Sequence, residues 1–286
     1  MNINDFINDR LKMLLESGID SSVFEIKLLL AHILGIEPKN ISPNMEITEH
    51  QAALLDDMLK ERCNHRPIDK IIGKKGFYKY DFAVSDDVLS PRYDTEILVE
   101  KAIELLAPSQ NANILELGVG SGCIILSVLA DLPFVSGVGI DVSDAALAIT
   151  DLNAENLKIE PERLNLLKAS WFDEDIIEKL SDYAPFDMVV SNPPYIATSE
   201  IDKLDIEVKD FDPLIALDGG ANGLKDYNRI LQVSEKLLKP NGIIILEAGD
   251  GQQLRQIKQM AEGYKMQCLK ILKDLNNIDR CIILKK

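Results

Sequence analysis

The sequence predicts an α/β protein with a doubly wound, mostly parallel seven-stranded sheet whose last strand is antiparallel. A small N-terminal helical bundle precedes the sheet and is joined to it by a β-hairpin. Three features predict this architecture. Short apolar runs alternate with helical patterns from residue 112 onward, which is typical of a doubly wound sheet. Residues 1–75 carry helical periodicity alone, and residues 76–90 alternate as the strands of a hairpin do.

The composition is that of a folded, water-soluble protein long enough for one main domain and one small one. Of its 286 residues, 46% are hydrophobic and 27% are charged, and the net charge is −16. A protein that holds nucleic acid by its phosphates needs a basic surface, so we expect no direct nucleic-acid binding. The acidity fits a basic protein partner, or it only keeps the protein in solution.

The cysteine content argues against disulfides and metal centres. Cys63, Cys123, Cys268 and Cys281 have neither pairing nor metal-ligand spacing, which is typical of a reducing cytosol. No apolar run approaches the roughly 20 residues of a membrane span. We therefore expect a cytoplasmic protein with no metal site and no membrane contact.

The N-terminal 75 residues predict a small helical domain. The sequence Thr48-Glu49-His50-Gln51 matches a capping box that opens a helix toward Cys63. Before it, apolar residues at helical spacing form two stripes that end at glycines: Phe6, Leu11, Leu14 and Leu15 before Gly18, and Phe24, Leu28, Leu29 and Ile33 before Gly35.

The next segment predicts a β-hairpin followed by a helix. Residues 76–84 and 86–89 alternate as hairpin strands, so we assign residues 76–90 to the linker and residues 91–286 to the larger domain. The helix begins at Thr95 or Glu96. Asp94 or Thr95 then only caps this helix, or the segment lines the mouth of a site.

The larger domain contains seven strand-like runs. The last two flank Asn276-Asn277 and predict a closing hairpin, so the final strand runs antiparallel. In chain order, the runs are residues 114–117, 137–140, 164–167, 188–190, 243–246, 267–273 and 280–284.

A glycine-rich turn, Gly118-Val119-Gly120-Ser121-Gly122, follows the first of these strands. Its glycines let a ligand approach the backbone closely. A dinucleotide site requires the spacing G-x-G-x-x-G or G-x-G-x-x-A, whereas here the third glycine comes one residue early and position 123 is Cys. The spacing therefore argues against a pyrophosphate-binding turn.

Two side chains follow the next strands at the same edge of the predicted sheet. Asp141 ends the second strand, where a carboxylate can accept both hydroxyls of a ribose. Trp171 follows the third strand, where a residue can flank an adenine ring. Alternatively, Asp141 caps a helix and Trp171 is a core or lid aromatic.

The fourth strand ends in Asn192-Pro193-Pro194-Tyr195. The prolines cannot donate ladder hydrogen bonds, so they end the strand and stiffen a loop where open α/β sheets bind ligands. The side-chain carbonyl of Asn192 and the backbone carbonyl of Pro193 can both accept from one NH2 group, and Tyr195 can stack on a planar target. The same residues are typical of a rigid turn whose Asn caps the next segment.

In this order, the features resemble those of the class I S-adenosylmethionine-dependent methyltransferases. Over nearly the whole chain, the sequence resembles the peptide chain release factor glutamine N5-methyltransferases, the PrmC/HemK family. Glu116 stands where an Asp is usual, Tyr93 where many relatives have Pro, and Ser170 where some carry an acidic residue. Besides the glycine turn and Asn192 to Tyr195, the residues that carry the resemblance are Leu28 to His32, Gly73, Leu89 to Arg92, Asp94 to Glu96, Pro213-Leu214, Ala216-Leu217, Gly219-Gly220, Gly223-Leu224, Glu247, Gly249, Lys273-Asp274 and Arg280.

The resemblance implies a protein-glutamine N5-methyltransferase that supports translation termination. It implies that the helical domain contacts the release factor, and we expect a monomer. The implied catalytic residues are Asn192, Pro193 and Tyr195. The implied cofactor-binding residues are Gly118, Val119, Gly120, Ser121, Gly122, Asp141, Trp171 and Asn192, and those implied to hold the glutamine of a Gly-Gly-Gln motif are Asn192, Pro193, Pro194 and Tyr195. We place Arg92 and Glu96 among the substrate-binding residues as well, and the sequence does not say whether they act on the substrate directly.

Two rival functions share parts of this pattern. A DNA adenine-N6 methyltransferase has the same strand-end motif, but the chain is acidic and has no evident basic target-recognition segment. A catalytically idle binding module would keep the fold for protein contact alone. Retention of both the glycine turn and Asn192 to Tyr195 argues against it.

Overall fold

The computed structural model describes residues 3–20, 22–42 and 45–286, and the side chains of all of these except residues 3–5 and 22. The chain divides into two compact units. The first comprises Met1–Lys74 with Asp205–Phe211, and the second comprises Lys75–Leu204 with Asp212–Lys286. The first unit therefore includes a short segment that the sequence places far beyond the N-terminal region.

The described residues form twelve α-helices and nine strands, which are numbered here in chain order. The helices are α1 (Ile3–Glu16), α2 (Ser22–Leu34), α3 (Glu49–Cys63), α4 (Ile68–Ile72), α5 (Glu96–Leu106), α6 (Cys123–Asp131), α7 (Asp144–Asn156), α8 (Ile176–Ser181), α9 (Ile206–Lys209), α10 (Leu214–Leu217), α11 (Tyr227–Leu237) and α12 (Gly251–Gly263). The strands are β1 (Lys74–Phe77), β2 (Tyr80–Ala83), β3 (Ala112–Leu117), β4 (Val135–Asp141), β5 (Leu164–Lys168), β6 (Phe186–Ser191), β7 (Leu238–Glu247), β8 (Gln267–Lys273) and β9 (Asp279–Lys285).

The helical unit has its own apolar core, built from α1, α2 and α3. Phe6, Leu14 and Leu29 are buried in it as the apolar stripes predict, but Leu15 and Phe24 are 51% and 63% exposed. Successive residues of a helix lie about 100° apart, so Leu15 cannot face the same core as the adjacent Leu14, and Phe24 lies about 200° from the buried Ile26. The phase of both stripes was therefore partly wrong.

The capping box that opens α3 is confirmed. The Thr48 side chain accepts a hydrogen bond from the Gln51 N–H at 3.2 Å, and the Gln51 side chain accepts from the Thr48 N–H at 2.9 Å. Two of the backbone donors that every helix start leaves unpaired are satisfied in this way. The start of α3 is thus set by four consecutive residues of the sequence.

A buried arginine joins the short segment 205–211 to the helices of its unit. The Arg62 guanidinium pairs with Glu25 at 2.8 Å and with Glu207, on α9, at 2.6 Å. The side chain of Arg62 is 4% exposed. Lys70, on α4, donates to the backbone carbonyl of Phe211 in the same segment.

The predicted hairpin is present but shorter than the sequence pattern indicates. Its two strands, β1 and β2, pair with each other and are joined at Tyr78 and Lys79. Residues 86–89, predicted as strand, are turn and irregular backbone instead. Val84 and Val88 are buried against Ala146 of α7. This packing accounts for the apolar alternation of these residues, although they form no strand pair.

The main sheet confirms the predicted fold class. Its seven strands, all within residues 112–285, lie in the order β5-β4-β3-β6-β7-β9-β8. Strands β3 to β7 pair in parallel, and β9 runs antiparallel to both of its neighbours. Since β3 and β6 are adjacent although two strands separate them in sequence, the strand order reverses there, where such sheets bind ligands.

Both faces of the sheet are covered by helices. Met188 and Val190 of β6 face the core formed with α5, α6 and α7, and Val189 faces the core formed with α8, α11 and α12. This alternation follows from the period of two in a strand. The runs of apolar residues in the sequence are therefore strands buried on both sides.

The four cysteines are all free thiols. No helix within the described residues combines the length and the apolar character that a membrane crossing requires.

Candidate active site

A cavity of about 560 Å³ opens at the carboxyl ends of β3, β4 and β6. Its volume lies within the range of sites that hold a small molecule or cofactor, which is about 300–1,000 Å³. It is formed within the larger unit. Of the site residues predicted from the sequence, Arg92, Gly118, Val119, Gly120, Ser121, Asp141, Trp171, Asn192 and Pro194 line it.

The glycine turn forms one wall of the cavity and is fastened to β4. The N–H groups of Gly118 and Val119 both donate to the carbonyl of Ile140, at 2.9 and 3.0 Å. Gly118 has a φ of +82°, and a Cβ added there would come within 3.2 Å of the Trp171 ring. The missing side chain at Gly118 therefore keeps the backbone open next to the indole.

The third glycine, Gly122, serves the fold. It is the N-cap residue of α6 with a φ of +77°. A Cβ there would lie 2.7 Å from Cγ2 of Thr150, on α7. The hydroxyl of Thr150 donates to the carbonyl of Gly120 at 2.9 Å, and Asn153 donates to the carbonyl of Ser121 at 2.9 Å. Helix α7 thus holds the turn in place, which the sequence pattern did not indicate.

Asp141 ends β4 with both carboxylate oxygens directed by backbone donors. Oδ2 accepts from the N–H of Gly120 at 3.0 Å, and Oδ1 accepts from the N–H of Ser143 at 3.0 Å. The N-cap of α7 is Ser143, whose side chain accepts from Ala146. Asp141 therefore does not cap that helix, and each of its oxygens keeps acceptor capacity toward the cavity.

Two hydrogen bonds, one from the indole N–H and one to the backbone carbonyl, hold Trp171 at the cavity. Its indole Nε1 donates to Oδ1 of Asp226 at 3.0 Å, and Arg229 donates to its backbone carbonyl at 2.7 Å. Asp226 is 4% exposed, and burial raises the pKa of its carboxyl. The six-membered ring of the indole borders Gly118.

Asn192 follows β6 directly and lies at the cavity wall. Its side-chain Nδ2 donates to the hydroxyl oxygen of Thr95 at 3.3 Å. Thr95 is 2% exposed and makes no side-chain capping bond, although it is the N-cap residue of α5. Since Nδ2 is directed at Thr95, the Oδ1 end of the amide is available to a ligand.

The loop after Asn192 packs tightly on two glycines. A Cβ at Gly219 would come within 2.6 Å of the Pro194 carbonyl oxygen, and one at Gly223 within 2.1 Å of the Tyr195 carbonyl oxygen. Gln253 donates to that Tyr195 carbonyl at 2.8 Å. Pro193 and Pro194 are buried. The backbone of the loop is therefore held in place by Gly219, Gly223 and Gln253, which lie further along the chain.

Arg92 and Glu96 have partners of their own. The Arg92 guanidinium pairs with Asp212 at 2.5 Å, and Asp212 is nearly inaccessible to solvent. Glu96 accepts from the backbone N–H of Tyr78 at 2.9 Å, so its carboxylate is anchored on the hairpin. Arg92 lines the cavity. Glu96 is not among the lining residues, and its hydrogen bond is to Tyr78 of the hairpin turn.

Two buried carboxyl groups stand near the ends of the central strands. Glu116, at 1% exposure, accepts from the N–H of Ile125 at 2.9 Å, and burial raises the pKa of its carboxyl well above the usual value. Glu247, at 1% exposure, ends β7, and burial raises its pKa to about 7. Neither was predicted as a site residue from the sequence, although Glu247 was among the residues that carry the resemblance.

Comparison with known proteins identifies the family. Residues 8–73 match the PrmC N-terminal domain, and residues 108–283 match a methyltransferase domain. A release factor glutamine methyltransferase of Caulobacter vibrioides is 37% identical over 277 residues, which are 96% of this chain and 92% of that protein. One of Rhodospirillum rubrum is 36% identical over 94% of this chain and 81% of that protein. The chain belongs to the release factor glutamine methyltransferase family.

A solved structure agrees with this membership at the level of the fold. A chain from Streptococcus mutans described as a SAM-dependent methyltransferase has a TM-score of 0.53. It is 13% identical, and the match covers 72% of this chain and 53% of that one. At this identity, the likeness concerns the fold alone.

The family assignment confirms several predictions made from the sequence. The chain is a methyltransferase of this family. The predicted methyl donor, S-adenosylmethionine, is confirmed by the match to a methyltransferase domain. The residues at the cavity suit this donor. Gly118 leaves open backbone beside the Trp171 indole, and Asp141 presents carboxylate oxygens at the same cavity.

Proposed function

We propose that this release factor methyltransferase transfers a methyl group from S-adenosylmethionine to the side-chain amide nitrogen, N5, of the glutamine in the Gly-Gly-Gln motif of peptide chain release factors. The observation that carries the proposal is the orientation of Asn192. Because its Nδ2 donates to Thr95, its Oδ1 is the atom left to accept from a substrate NH2 group. An acceptor at this position suits an amide nitrogen, because the NH2 group can donate a hydrogen bond to it while the nitrogen acts as the nucleophile.

The mechanism is an in-line displacement that depends on positioning. S-adenosylmethionine, when bound, would supply an electrophilic methyl group on sulfur. The glutamine amide nitrogen would form the new carbon–nitrogen bond as the carbon–sulfur bond breaks and its electron pair stays on sulfur. Asn192 Oδ1 and the Pro193 carbonyl accept from the two amide N–H groups, which orients the nitrogen and stabilises the positive charge that develops on it. The methylated nitrogen then loses its extra proton to solvent water, so no histidine base is needed.

We assign cofactor binding to the glycine turn, Asp141 and Trp171. Gly118 to Ser121 provide the close backbone approach, with Gly122 shaping the turn behind them, Asp141 accepts the ribose hydroxyls, and Trp171 lies against the adenine. Asn192 lies where the cofactor and substrate portions of the cavity meet. Support comes from the shared lining of one cavity by the turn, the carboxylate and the indole.

The substrate side is assigned to the loop after β6 and to the segment before α5. Pro193, Pro194 and Tyr195 hold the glutamine, with the Tyr195 ring packed on the amide plane. Burial raises the pKa of the Tyr195 hydroxyl, so this ring stays uncharged. Arg92 contacts the substrate through the face of its guanidinium that Asp212 leaves available, and Glu96 acts by fixing the start of α5.

The helical domain, residues 1–75, contacts the body of the release factor. This unit exposes large apolar side chains at Met13, Leu15, Val23, Phe24 and Leu54. Side chains of this kind supply contact area in protein interfaces. The net charge of −16 favours a basic partner surface.

The protein acts as a monomer in the cytoplasm and makes no direct contact with nucleic acid. The free cysteines agree with a reducing compartment. A DNA adenine-N6 methyltransferase is not favoured, because the family relatives act, by name, on release factors and the chain is acidic.

The test is transfer of labelled methyl from S-adenosylmethionine to a purified release factor. The matched substrate controls are the same factor with Gln→Ala in its Gly-Gly-Gln motif and a duplex DNA. We expect label only on the intact factor. Label on DNA, or equal label on the Gln→Ala factor, would contradict the proposal, and so would cofactor binding without any transfer.

A further inference from the structure

Glu247 is a buried carboxyl group immediately beside the proposed catalytic amide. Ser191 and Leu246 are paired in the register of β6 and β7, and Asn192 and Glu247 are the residues that follow them. Glu247 is 1% exposed. Among the residues that the structure describes, its Oε2 has no hydrogen-bond partner.

Thr95 contacts Asn192 and also interacts with this carboxyl. The Thr95 hydroxyl oxygen accepts from Asn192 Nδ2 at 3.3 Å, and Thr95 is 2% exposed. Both the Thr95 hydroxyl and the Asn192 amide stand close enough to the Glu247 carboxyl to stabilise its charged form. A hydroxyl that accepts from one group has a proton to donate to another, and a carboxylate accepts only.

We propose that Glu247 is a positioning residue for methyl transfer. Its carboxylate accepts a hydrogen bond from the Thr95 hydroxyl, which leaves a lone pair of the Thr95 oxygen directed at Asn192 Nδ2. Asn192 Oδ1 is thereby directed at the substrate amide. The proposal rests on the function proposed above. Glu247 does not touch the reacting atoms in this account. It decides which end of the Asn192 amide faces the substrate.

The charges around Glu247 come from several elements. Asp94, in the turn before α5, disfavours its charged form, and Arg280, on β9, favours it. Tyr195, after β6, and Cys281, on β9, also interact with its charge. Tyr227, on α11, donates to its backbone carbonyl at 2.7 Å, and Cys123, on α6, is affected more weakly.

Burial is the largest of these effects and raises the pKa of Glu247 to about 7. Below that pH the protonated carboxyl is itself a donor, so it can donate to Thr95 and leave the Thr95 proton pointing at Asn192. The contact to Asn192 Nδ2 is then lost. Methyl transfer therefore rises with pH as Glu247 ionises, with a midpoint near 7.

The experiment is single-turnover methyl transfer at saturating S-adenosylmethionine and release factor, measured from pH 6 to 9. The variants are Glu247→Gln, which cannot ionise, Glu247→Asp, and Glu262→Gln as a control on the exposed face of α12. We expect Glu247→Gln to be slower by at least about tenfold at pH 8 and to lose the rise near pH 7. Its dissociation constant for S-adenosylmethionine stays within about twofold, which also shows that it is folded.

Glu247→Asp partly restores the rate and the pH dependence, since it keeps an ionisable acceptor on a shorter side chain. The proposal is overturned if Glu247→Gln keeps the wild-type rate and pH profile, or if its loss is entirely a loss of cofactor affinity. If Glu247→Gln does not fold, a wild-type rate and pH profile in Thr95→Val, which lacks the hydroxyl between Glu247 and Asn192, overturns it equally. Failure of the proposed function is distinct, because the wild-type enzyme would then label no release factor.

Discussion

The side-chain amide of Asn192 donates to the hydroxyl oxygen of Thr95 at 3.3 Å, across 97 residues of sequence. An amide side chain can point either its oxygen or its nitrogen into a site, and only the first can accept from a substrate NH2 group. The contact with Thr95 selects the first. The chemistry of the strand-end motif thus depends on a residue at the start of α5.

Replacing Thr95 by Val tests this dependence. Valine keeps the shape of the side chain but removes the acceptor, so the orientation of Asn192 is no longer selected. We expect kcat to fall about tenfold, as the loss of one hydrogen bond in the transition state would give. Affinity for S-adenosylmethionine, measured by titration calorimetry, changes little. Thr95→Ser keeps the hydroxyl and serves as the control; a Val variant as active as the Ser variant would refute the contact's role.

Asp141 is expected to govern cofactor affinity alone. Asp141→Asn removes the charge, turns one acceptor into a donor and disturbs the contacts to Gly120 and Ser143. We expect binding of S-adenosylmethionine to weaken about 10- to 100-fold, with no large effect on kcat at saturation. Calorimetry measures the first quantity and steady-state kinetics the second.

A nearby carboxylate provides the control for Asp141. Asp144 lies at the start of α7, pairs with Lys168 on the surface and has a side chain that is 75% exposed. Asp144→Asn should leave cofactor binding unchanged. Equal weakening in both variants would mean that general charge, not the geometry at the end of β4, determines affinity.

The raised pKa of Glu247 also predicts a dependence of stability on pH. Between the ordinary value of 4.5 and about 7, the folded protein keeps a proton on Glu247 that the unfolded chain releases. Stability then falls as pH rises through this window, by about 3 kcal/mol for this group. Glu247→Gln removes this loss. In urea unfolding, the stability of the variant relative to wild type should increase from pH 5 to pH 8, and a constant difference would contradict the ionisation.

The helical unit depends on the buried pairing of Arg62. Arg62→Leu leaves Glu25 and Glu207 without their shared cation, and breaking a buried ion pair in this way costs about 3–5 kcal/mol. The measurement is the free energy of unfolding of the whole chain in urea. Lys60→Ala, on the same helix, removes an exposed pair with Asp57 and should have little effect. Similar losses in both would show that the burial of Arg62 is unimportant.

The sequence predicted the elements whose signal is local. Capping of α3 needs only Thr48 and Gln51, and the seven strands follow from apolar runs bounded by turns. Asp141 and Asn192 were brought to one cavity because the carboxyl ends of parallel strands meet at one edge. These inferences require no knowledge of which strands are neighbours.

The parts that sequence did not reveal depend on tertiary neighbours. Thr95 was predicted as a helix cap or a mouth residue, and only the tertiary contact between the start of α5 and the residue after β6 makes it the partner of Asn192. Glu247 meets Asn192 because β7 follows β6 in the sheet. Phe24 was placed on an inward stripe, but the core-facing residues of α2 are Ile26, Leu29 and Leu30. Periodicity gives the presence of a helix more securely than its rotation.

The most direct test of the account is methyl transfer by Asn192→Ala to an intact release factor, with wild type and Thr95→Ser measured beside it. Asn192 is the residue on which substrate orientation, charge stabilisation and the arrangement with Thr95 all depend. We predict that kcat falls at least about 100-fold while the dissociation constant for S-adenosylmethionine stays within about fivefold. Transfer within a few-fold of wild type, with the methyl group still on the glutamine amide by mass spectrometry, would contradict the account.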